Sequence, residues 1–297
     1  MRPTASLRGK CPRLPLSRLT RRATRARCLA SSSHAATEYD RADVASSFAA
    51  MIKGLDEGKS GGLFEDFECN SFDEGLRRLG LSSLEGLRVL DAGCGEGRFA
   101  RRFCAAGARV IGCDSSPAMV KAARETQQHD GHDAEYVLMD VSSAKAALGH
   151  SVDLCVSIYV MQMAKRLEQL QDMCAFLRRH SDRSLIFTVN GEYAPRPRQS
   201  ELMLRHLGFQ SLRAPGTTDR IHFVMRGSST PVTNYQYSED TYLQCLEKAG
   251  YGEVGAFDFR GTEAHRARVL ESGEEEEKEL IELVSANPHI KCFWGKA

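Results

Sequence analysis

Three glycines between two carboxylates form a stretch whose residue types and spacing suit ligand chemistry. Gly93, Gly95 and Gly97 occupy every second position, Asp91 stands just before them, and Asp114 lies further along the chain. Glycine lets the chain turn sharply and lets a ligand touch the backbone, because no Cβ stands in the way. Asp114 follows the turn by about twenty residues, where a carboxylate can accept both hydroxyls of a ribose. The pattern therefore predicts a site for a nucleoside-containing ligand.

The charge around these glycines favours a cationic ligand over a pyrophosphate. Asp91 precedes the turn and Glu96 lies inside it. Dinucleotide folds place their glycines against a pyrophosphate, usually with the spacing GxGxxG, whereas the spacing here is GxGxG. A carboxylate attracts a cation and repels a phosphate. A nicotinamide-dependent oxidoreductase is therefore the disfavoured interpretation, which titration with NAD would test.

The elements around the glycines must hold them at the end of a strand. Apolar residues from Leu87 lead into Asp91 and predict a strand. From Arg98 the apolar spacing becomes helical, until Gly107 ends the helix. A second apolar run then ends at Asp114. Strand, glycine turn, helix and strand make a βαβ unit whose ligand-binding end is the glycine turn.

The run DAGCGEGRF, which starts at Asp91, resembles motif I of class I S-adenosylmethionine-dependent methyltransferases. The resemblance implies that the cofactor is S-adenosyl-L-methionine. It also implies that the glycine loop lines the methionine part of that cofactor and that Asp114 binds its ribose. With the further matches given next, the implied cofactor-binding residues are Tyr39, Asp91, Ala92, Gly93, Gly95, Gly97, Asp114, Ser115, Met119, Asp140, Val141, Ser157 and Tyr159.

Three shorter matches to the family leave alternatives open. Tyr39, in a Tyr-Asp pair, would help to cover the cofactor, or it is an ordinary surface tyrosine. Met119 would pack near the adenine, or it belongs to the core. By resemblance to motif II, Asp140 and the Val141 amide would contact the adenine. Alternatively, Asp140 only caps the turn that follows it.

The alternation of strands and helices predicts an α/β fold, a doubly wound Rossmann-like sheet of seven strands with helices on both faces. Most strands are expected to be parallel, with an antiparallel edge strand, which is typical of this methyltransferase class. Beyond the βαβ unit, strands are predicted at 134–141, 152–157, 184–189, 255–259 and 290–294.

An insertion at about 191–237 interrupts this alternation after the fifth strand. Pro195, Pro197 and Pro215 are expected to exclude regular helix over much of it, and 221–225 is expected to form a strand within it. A segment this long between sheet elements is usually functional. We interpret it as a cover for the substrate, with a mobile surface excursion as the alternative.

The acceptor of the methyl group is expected at the carboxyl ends of strands four and five, because ligands of open α/β sheets bind there. Tyr159 and Asn190 follow those strands, and Tyr235 precedes a later helix. These three are the candidate catalytic residues. The acceptor is predicted to be a small molecule, methylated on N, O, S or C. The alternative is a non-catalytic S-adenosylmethionine-binding assembly or sensor protein.

A late segment adds a narrower resemblance. The run TPVTNYQYSEDTYLQCLEKAGY is similar to a motif of toxoflavin-synthase-like small-molecule methyltransferases. The tripeptide Thr188-Val189-Asn190 is similar to the end of their fifth strand. This resemblance does not identify the substrate.

The first 37 residues differ in composition from the remainder. They hold eight arginines, one lysine and no acidic residue. An Arg-rich, Ser-rich and acid-poor segment is typical of an organelle transit peptide. Its Ser-Ser-Ser run favours a plastid (chloroplast) over a mitochondrion. The alternatives are a basic arm that touches nucleic acid, and a cytoplasmic protein.

The remaining residues, 38–297, are predicted to form one methyltransferase domain. They keep 31 of the 40 basic residues against 39 acidic ones, a net charge of −8. An acidic body disfavours nucleic acid as a partner. No apolar run approaches the roughly 18 residues of a membrane span. Ten cysteines without metal-ligand spacing predict free thiols in a reducing compartment and no metal site. The expected assembly is a monomer or a homodimer.

Overall fold

The computed structural model describes residues 41–56, 62–143, 145–216 and 219–297. Its helices are α1 Ala42–Asp56, α2 Leu63–Arg78, α3 Arg98–Ala105, α4 Pro117–Asp130, α5 Leu167–His180, α6 Pro197–Leu207, α7 Glu239–Ala249, α8 Glu263–Ser272 and α9 Glu275–Ala286. Its strands are β1 Arg88–Ala92, β2 Arg109–Asp114, β3 Ala134–Leu138, β4 Leu154–Ile158, β5 Arg183–Val189, β6 Phe209–Arg213, β7 Arg220–Met225, β8 Val232–Tyr235, β9 Glu253–Asp258 and β10 Ile290–Lys296.

The central sheet has seven strands in the order β3-β2-β1-β4-β5-β10-β9. Strands β1 to β5 pair in parallel, while β10 runs antiparallel to both of its neighbours. This confirms the predicted doubly wound sheet with antiparallel pairing at one edge. The strand order reverses between β1 and β4, and ligands of open α/β sheets bind in the crevice at such a point.

Each face of this sheet is covered by its own apolar layer. On one face Phe72 of α2 stacks on Phe103 of α3, with ring centroids 5.1 Å apart, and touches Phe187 of β5. On the other face Tyr242 of α7 stacks on Phe293 of β10 at 4.6 Å. All five side chains are buried. Because both faces are covered, the polar ends of the strands are left as the place for a ligand.

Serine hydroxyls cap the first turns of α4 and α7. The Ser116 hydroxyl accepts a hydrogen bond from the amide of Met119 at 3.2 Å, and Pro117 occupies the first turn of α4. The Ser238 hydroxyl accepts one from the amide of Thr241 at 3.2 Å. Each cap satisfies an amide that the helix itself leaves without a partner.

The insertion is more regular than its prolines suggested. Most of the described residues of this segment are not helical, as expected, but helix α6 begins at Pro197 itself and continues to Leu207. Proline fits the first helical turn, where its missing N–H has no partner to lose. Strands β6, β7 and β8 then form a three-stranded antiparallel sheet, and the strand predicted at 221–225 is confirmed.

Two further features differ from the sequence-based expectations. Helix α8, Glu263–Ser272, follows β9 where no helix was predicted. Strand β3 ends at Leu138, so Asp140 and Val141 lie in the turn beyond it and not in the strand.

Tyr39 and the predicted transit peptide lie outside the described residues. Within the described part of the chain, no helix combines the length and apolarity that a membrane crossing requires.

Candidate functional site

The glycine loop packs tightly at both ends, against Val160 at Gly93 and against Tyr136 at Gly97, and has more room at its middle. The amides of Gly93 and Cys94 donate to the carbonyl of Cys113 at 2.7 and 2.9 Å, which folds the loop back onto β2. Gly93 has φ 85°, and a Cβ there would overlap the side chain of Val160. At Gly95 a Cβ would meet only the ring of Phe48, at 3.7 Å. The backbone at Gly95 is therefore the part of the loop that a ligand can approach.

The Asp114 carboxylate holds this loop from the end of β2. Its Oδ2 accepts a hydrogen bond from the Gly95 amide at 2.9 Å, and its Oδ1 accepts one from the Ser116 amide at 2.8 Å. A carboxylate at the end of the second strand of such a βαβ unit is the acceptor type that ribose hydroxyls bind. The residue is half-buried, as is Ser115 beside it. The geometry is therefore compatible with the ribose contact predicted for Asp114.

Asp91, at the end of β1, is a buried acid that lacks a full set of partners. Its side chain is 2% exposed, and its Oδ2 has no hydrogen-bond partner among the described residues. Burial, and then the charge of Asp114, raise the pKa of Asp91 to about 7. A cationic group bound here would neutralise the carboxylate and satisfy its free oxygen. The site thus fits a cation, as the sequence predicted.

The predicted adenine side is built differently from the strand end that was expected. Oδ1 of Asp140 accepts hydrogen bonds from the amide and hydroxyl of Ser142, at 2.9 and 2.7 Å, so Asp140 caps its own turn. Met119 and Val141 are both buried. The capping alternative is therefore observed, while contact with an adenine stays a prediction for these residues.

Tyr159, just after β4, adopts an unusual backbone conformation. Its φ is 61°, the one positive value among the described residues other than glycine. Its amide donates to the carbonyl of Phe187 at 2.8 Å, and its hydroxyl donates to Oε1 of Glu68 at 3.1 Å. Burial, then the charge of Glu68, raises the pKa of the phenol well above its usual range. Positive φ costs a bulky side chain about 1–3 kcal/mol, and such residues cluster at functional sites.

A buried ion cluster that was not predicted from the sequence surrounds the Tyr159 hydroxyl. Glu68, only 1% exposed, lies 2.7 Å from Nη1 of Arg98 and 3.1 Å from Nη1 of Arg102. Arg98 directly follows the glycine loop, so the cluster joins α2 to the start of α3. One signal was available in the sequence. Glu68 lies on the buried stripe of α2, where a charged residue needs a partner.

Ala92 and Ser157 lie at the same edge of the sheet. Ala92 ends β1, and Ser157 is fully buried in β4, the strand that pairs with β1. The Ser157 hydroxyl has no hydrogen-bond partner within the described residues. The carboxyl ends of β1, β2 and β4 thus bring most of the predicted cofactor residues to one crevice.

Asn190 and Tyr235 belong to a second group, formed with the insertion. Asn190 donates from Nδ2 to the carbonyl of Pro288 at 3.0 Å and accepts at Oδ1 from the Glu192 amide at 3.1 Å. Tyr235 ends β8 and carries the guanidinium of Arg220 over its ring, 5.4 Å from the centroid. Asn190 thus fixes neighbouring backbone, whereas Tyr159 faces the Glu68 cluster. The catalytic roles of all three residues stay predictions.

Helix α1 covers the open side of the glycine loop. The ring of Phe48 lies over Gly95, and Oδ2 of Asp43 accepts a hydrogen bond from the hydroxyl of Thr230 at 2.8 Å. The helix therefore reaches from the loop to the insertion. In the described residues, no cluster of three or more His, Cys, Asp or Glu side chains is arranged to hold a metal ion.

Residues 89–180 match the family described as a methyltransferase domain. Among curated proteins, an ubiquinone biosynthesis O-methyltransferase from Sinorhizobium medicae is 30% identical over 107 residues, which cover 36% of this chain and 43% of that protein. The chain therefore spans less than half the length of this relative.

Solved structures show the same fold. An S-adenosylmethionine-dependent methyltransferase from Clostridium acetobutylicum has a TM-score of 0.53 at 13% identity, covering 85% of this chain and 98% of that one. Another from Mesorhizobium loti has a TM-score of 0.51 at 20% identity, covering 75% and 96%. Over residues 89–180 the chain is thus similar to a methyltransferase domain, and its fold is the one that these solved structures share, in agreement with the prediction from the glycine motif. The toxoflavin-synthase-like resemblance stays a prediction.

The raised pKa of Asp91 predicts a pH-dependent gain in stability when its charge is removed. In the unfolded chain this carboxyl ionises near 3.8, and in the folded chain near 7. The protonated group is therefore tolerated at low pH, and stability is lost as the pH rises from about 4 to 7. We expect Asp91→Asn to raise the melting temperature of the ligand-free protein at pH 8. The difference between the two pKa values sets an upper limit of about 4 kcal/mol.

Thermal unfolding at pH 4.5 and pH 8 measures this effect, and the gain should shrink at the lower pH. Asp114→Asn is the matched control, because it weakens the hydrogen bonds to Gly95 and Ser116 and should lower the melting temperature. A loss of stability in Asp91→Asn at both pH values would show that the Asp91 charge already has a favourable partner.

Proposed function

We propose that this protein transfers a methyl group from S-adenosyl-L-methionine to a small-molecule acceptor. One observation carries the proposal: within a methyltransferase domain, a buried acid with a free oxygen meets an open glycine loop at the point where the strand order reverses. Asp91 supplies the negative charge and Gly95 the approachable backbone. This combination suits a ligand that carries both a cation and a nucleoside.

Different residues of the crevice would contact different parts of the cofactor. Asp91 would face its cationic methionine part, the glycine loop would line the same part, and Asp114 would accept the ribose hydroxyls. When bound, the cofactor supplies a methyl group that its sulfonium already activates. The protein's task is then mainly to align the acceptor and to keep water away, and alignment alone can lower a barrier by several kcal/mol. Phe48 of α1, above Gly95, is placed to exclude water.

Removal of the Asp114 carboxylate should weaken cofactor binding while leaving the sheet intact. A charge-assisted hydrogen bond lost from a partly buried site costs about 1.5–3 kcal/mol. We therefore expect Asp114→Ala to bind S-adenosylhomocysteine roughly 10- to 100-fold more weakly, as measured by titration calorimetry.

Asp153→Ala provides the control for that measurement. Asp153 accepts a hydrogen bond from the Arg88 amide at 2.8 Å, at the opposite end of β1 from the crevice. Its replacement should leave the affinity unchanged. Equal affinities for wild-type protein and Asp114→Ala would remove Asp114 from the ribose site.

Two tyrosines are proposed to line the acceptor site, with Tyr159 lying between the acceptor and the cofactor. Aromatic rings bury apolar area, present negative π density to a cationic methyl group and keep one polar tip. We expect Tyr159→Ala and Tyr235→Ala to lower methyl transfer at least tenfold, with little change in S-adenosylhomocysteine affinity. Transfer of labelled methyl groups into a metabolite extract provides the assay, and the labelled product identifies the acceptor.

The stability of the same variants separates packing from catalysis. Tyr159→Ala removes a phenol from the Glu68 cluster, so its folded fraction must be measured alongside its activity. A lowered melting temperature with normal activity per folded molecule would withdraw both tyrosines from the acceptor site. Cofactor binding without any transfer would instead support the non-catalytic alternative. The name of the curated relative supports oxygen as the acceptor atom, and the mass and hydrolysis of the labelled product would test this.

We further propose that residues 1–37 direct the chain to an organelle, with a plastid favoured over a mitochondrion. The support is compositional, since this basic, acid-free segment precedes a body of net charge −8. A fluorescent reporter fused to residues 1–37 should enter the organelle, and one fused to residues 38–297 should not. The proposal would be contradicted if the reporter fused to residues 1–37 stayed in the cytosol and if removal of residues 1–37 lowered the stability of the protein.

A further inference from the structure

Two buried amide side chains lie at the carboxyl end of β5 without a full set of hydrogen-bond partners. Gln162 belongs to the 3₁₀ turn Met161–Met163, which follows β4, and it is 6% exposed. Asn234 belongs to β8 of the insertion and is 4% exposed. Neither residue has a role in the cofactor site.

A short chain of hydroxyl groups fixes the orientation of the Gln162 amide. The hydroxyl of Thr188, in β5, donates to Oε1 of Gln162 at 3.1 Å. A hydroxyl has one proton, so the phenol of Tyr242 donates the bond of 3.0 Å that joins it to Thr188. The amide oxygen is thereby turned toward β5, and the NH₂ group is turned away from it. Nε2 of Gln162 donates to none of the described residues.

The amide of Asn234 has no side-chain hydrogen bond with any residue that the structure describes. Its Oδ1 and Nδ2, like Nε2 of Gln162, do not belong to the polar atoms that are sealed from solvent without a partner, so each reaches open space. Both amides are more than nine-tenths buried and are therefore aimed into that space. Unpaired polar groups in a buried site are costly, and a ligand that pairs them is favoured.

The insertion packs over the end of β5 and brings the two amides to one place. Asn234 pairs with Ile221 of β7, and Ile221 packs with Val189, the last residue of β5. Thr188, which holds Gln162, is the residue before it. Strand β8 also lies beside the turn that carries Gln162. The two amides thus approach the same strand end, one from the turn after β4 and one from the insertion.

Two contacts fix the chain just beyond β8 against the main sheet. Nε2 of Gln236 donates to the carbonyl of Asn190 at 3.0 Å, in the loop after β5. The phenol of Tyr237 donates to the carbonyl of Ala164 at 2.9 Å, after the turn that follows β4. An amide of this segment with a structural role thus gives its protons to the protein's own carbonyls, as Gln236 does and Asn234 does not.

We propose that Gln162 and Asn234 bind the methyl acceptor through an uncharged polar group that both donates and accepts hydrogen bonds, as a carboxamide or a lactam does. The two side chains offer N–H donors and a carbonyl oxygen in planar amides, which match the edge of another amide. Neither carries a charge to neutralise a carboxylate, and Asp91 and Asp114 add negative charge at the same end of the sheet. This inference rests on the proposed methyl transfer and adds the class of acceptor.

Three molecules of nearly equal size test this class in the full-length chain saturated with S-adenosylhomocysteine. Acetamide carries a donor and an acceptor, acetone carries an acceptor only, and acetate carries a charge. In ¹⁵N-labelled protein we expect acetamide to shift the side-chain NH₂ signals of Gln162 and Asn234. It should bind about three- to tenfold more tightly than acetone, the effect of one further hydrogen bond, and at least tenfold more tightly than acetate.

Gln199 is the matched control, because it is a fully buried amide whose partners lie within the protein. Its Nε2 donates to the carbonyl of Asn287 at 3.0 Å, and its Oε1 accepts from Nδ2 of Asn287 at 2.8 Å. Its NH₂ signal should therefore not respond to acetamide.

Replacement of the amides separates binding from structure. Because the Asn234 amide has no partner among the described residues, Asn234→Leu should leave the melting temperature at or above that of the wild type. Gln199→Leu, which breaks two hydrogen bonds, should lower it. Asn234→Leu and Gln162→Met should each lower methyl transfer into a metabolite extract at least tenfold, while S-adenosylhomocysteine affinity changes less than twofold.

The proposal is overturned if acetamide moves neither NH₂ signal, or if acetone or acetate binds as tightly as acetamide. It is also overturned if Asn234→Leu lowers the melting temperature as much as Gln199→Leu does. The probe titrations need only wild-type protein, with its signals assigned through the backbone, so they decide the question even where a variant fails to fold.

The failure of this inference is distinguishable from failure of the proposed function. Absence of S-adenosylhomocysteine binding in calorimetry would refute methyl transfer by this chain, and with it the role of the two amides. Normal S-adenosylhomocysteine binding and methyl transfer, together with unmoved Gln162 and Asn234 signals, would refute the amide site alone.

Discussion

Two carboxylates of like charge at the ends of neighbouring strands set the constraint on which the candidate site depends. Asp114 is stabilised by the amides of Gly95 and Ser116, and it thereby fixes both the loop and the first turn of α4. Asp91 is deeper, and its Oδ2 has no such support among the described residues. Since two ionised carboxylates repel each other in a water-poor site, the second charge lowers the stability of the protein unless a cation accompanies it. The two carboxylates, which the ends of β1 and β2 hold in place, therefore make this end of the sheet favour a positively charged ligand.

The Glu68 cluster is a second feature that packing alone does not explain. Two arginines and a tyrosine surround one buried carboxylate, and withdrawal of such charges from water costs several kcal/mol per ion before their attraction is counted. An apolar contact would join α2 to α3 at lower cost. The cluster, however, fixes the start of α3 and the strained backbone of Tyr159 at the same point. The cluster therefore fixes the positions of α3 and Tyr159 at the crevice, and it lowers the folding stability of the protein relative to an apolar contact.

The parts of this fold that the sequence predicted are those with local causes. The βαβ unit is marked by a change of apolar period and by glycines, and both signals lie within about thirty residues. The helix at Pro197 was missed because proline is tolerated in the first turn of a helix. The early end of β3 was missed because the Met139 amide donates to the carbonyl of Asp114 outside the regular strand. Glu68 and Asn234 were missed for another reason, since each gains its importance from residues distant in sequence.

The balance of forces on α6 decides how the insertion is held against the rest of the protein. On its outer side Arg198 contacts Glu279, and Arg205 contacts Glu276, but these pairs are exposed and water screens them. On its inner side Leu202, Met203 and Leu207 are buried, and buried side chains of this size contribute about 1.5–3 kcal/mol each. The apolar side therefore dominates the docking of α6.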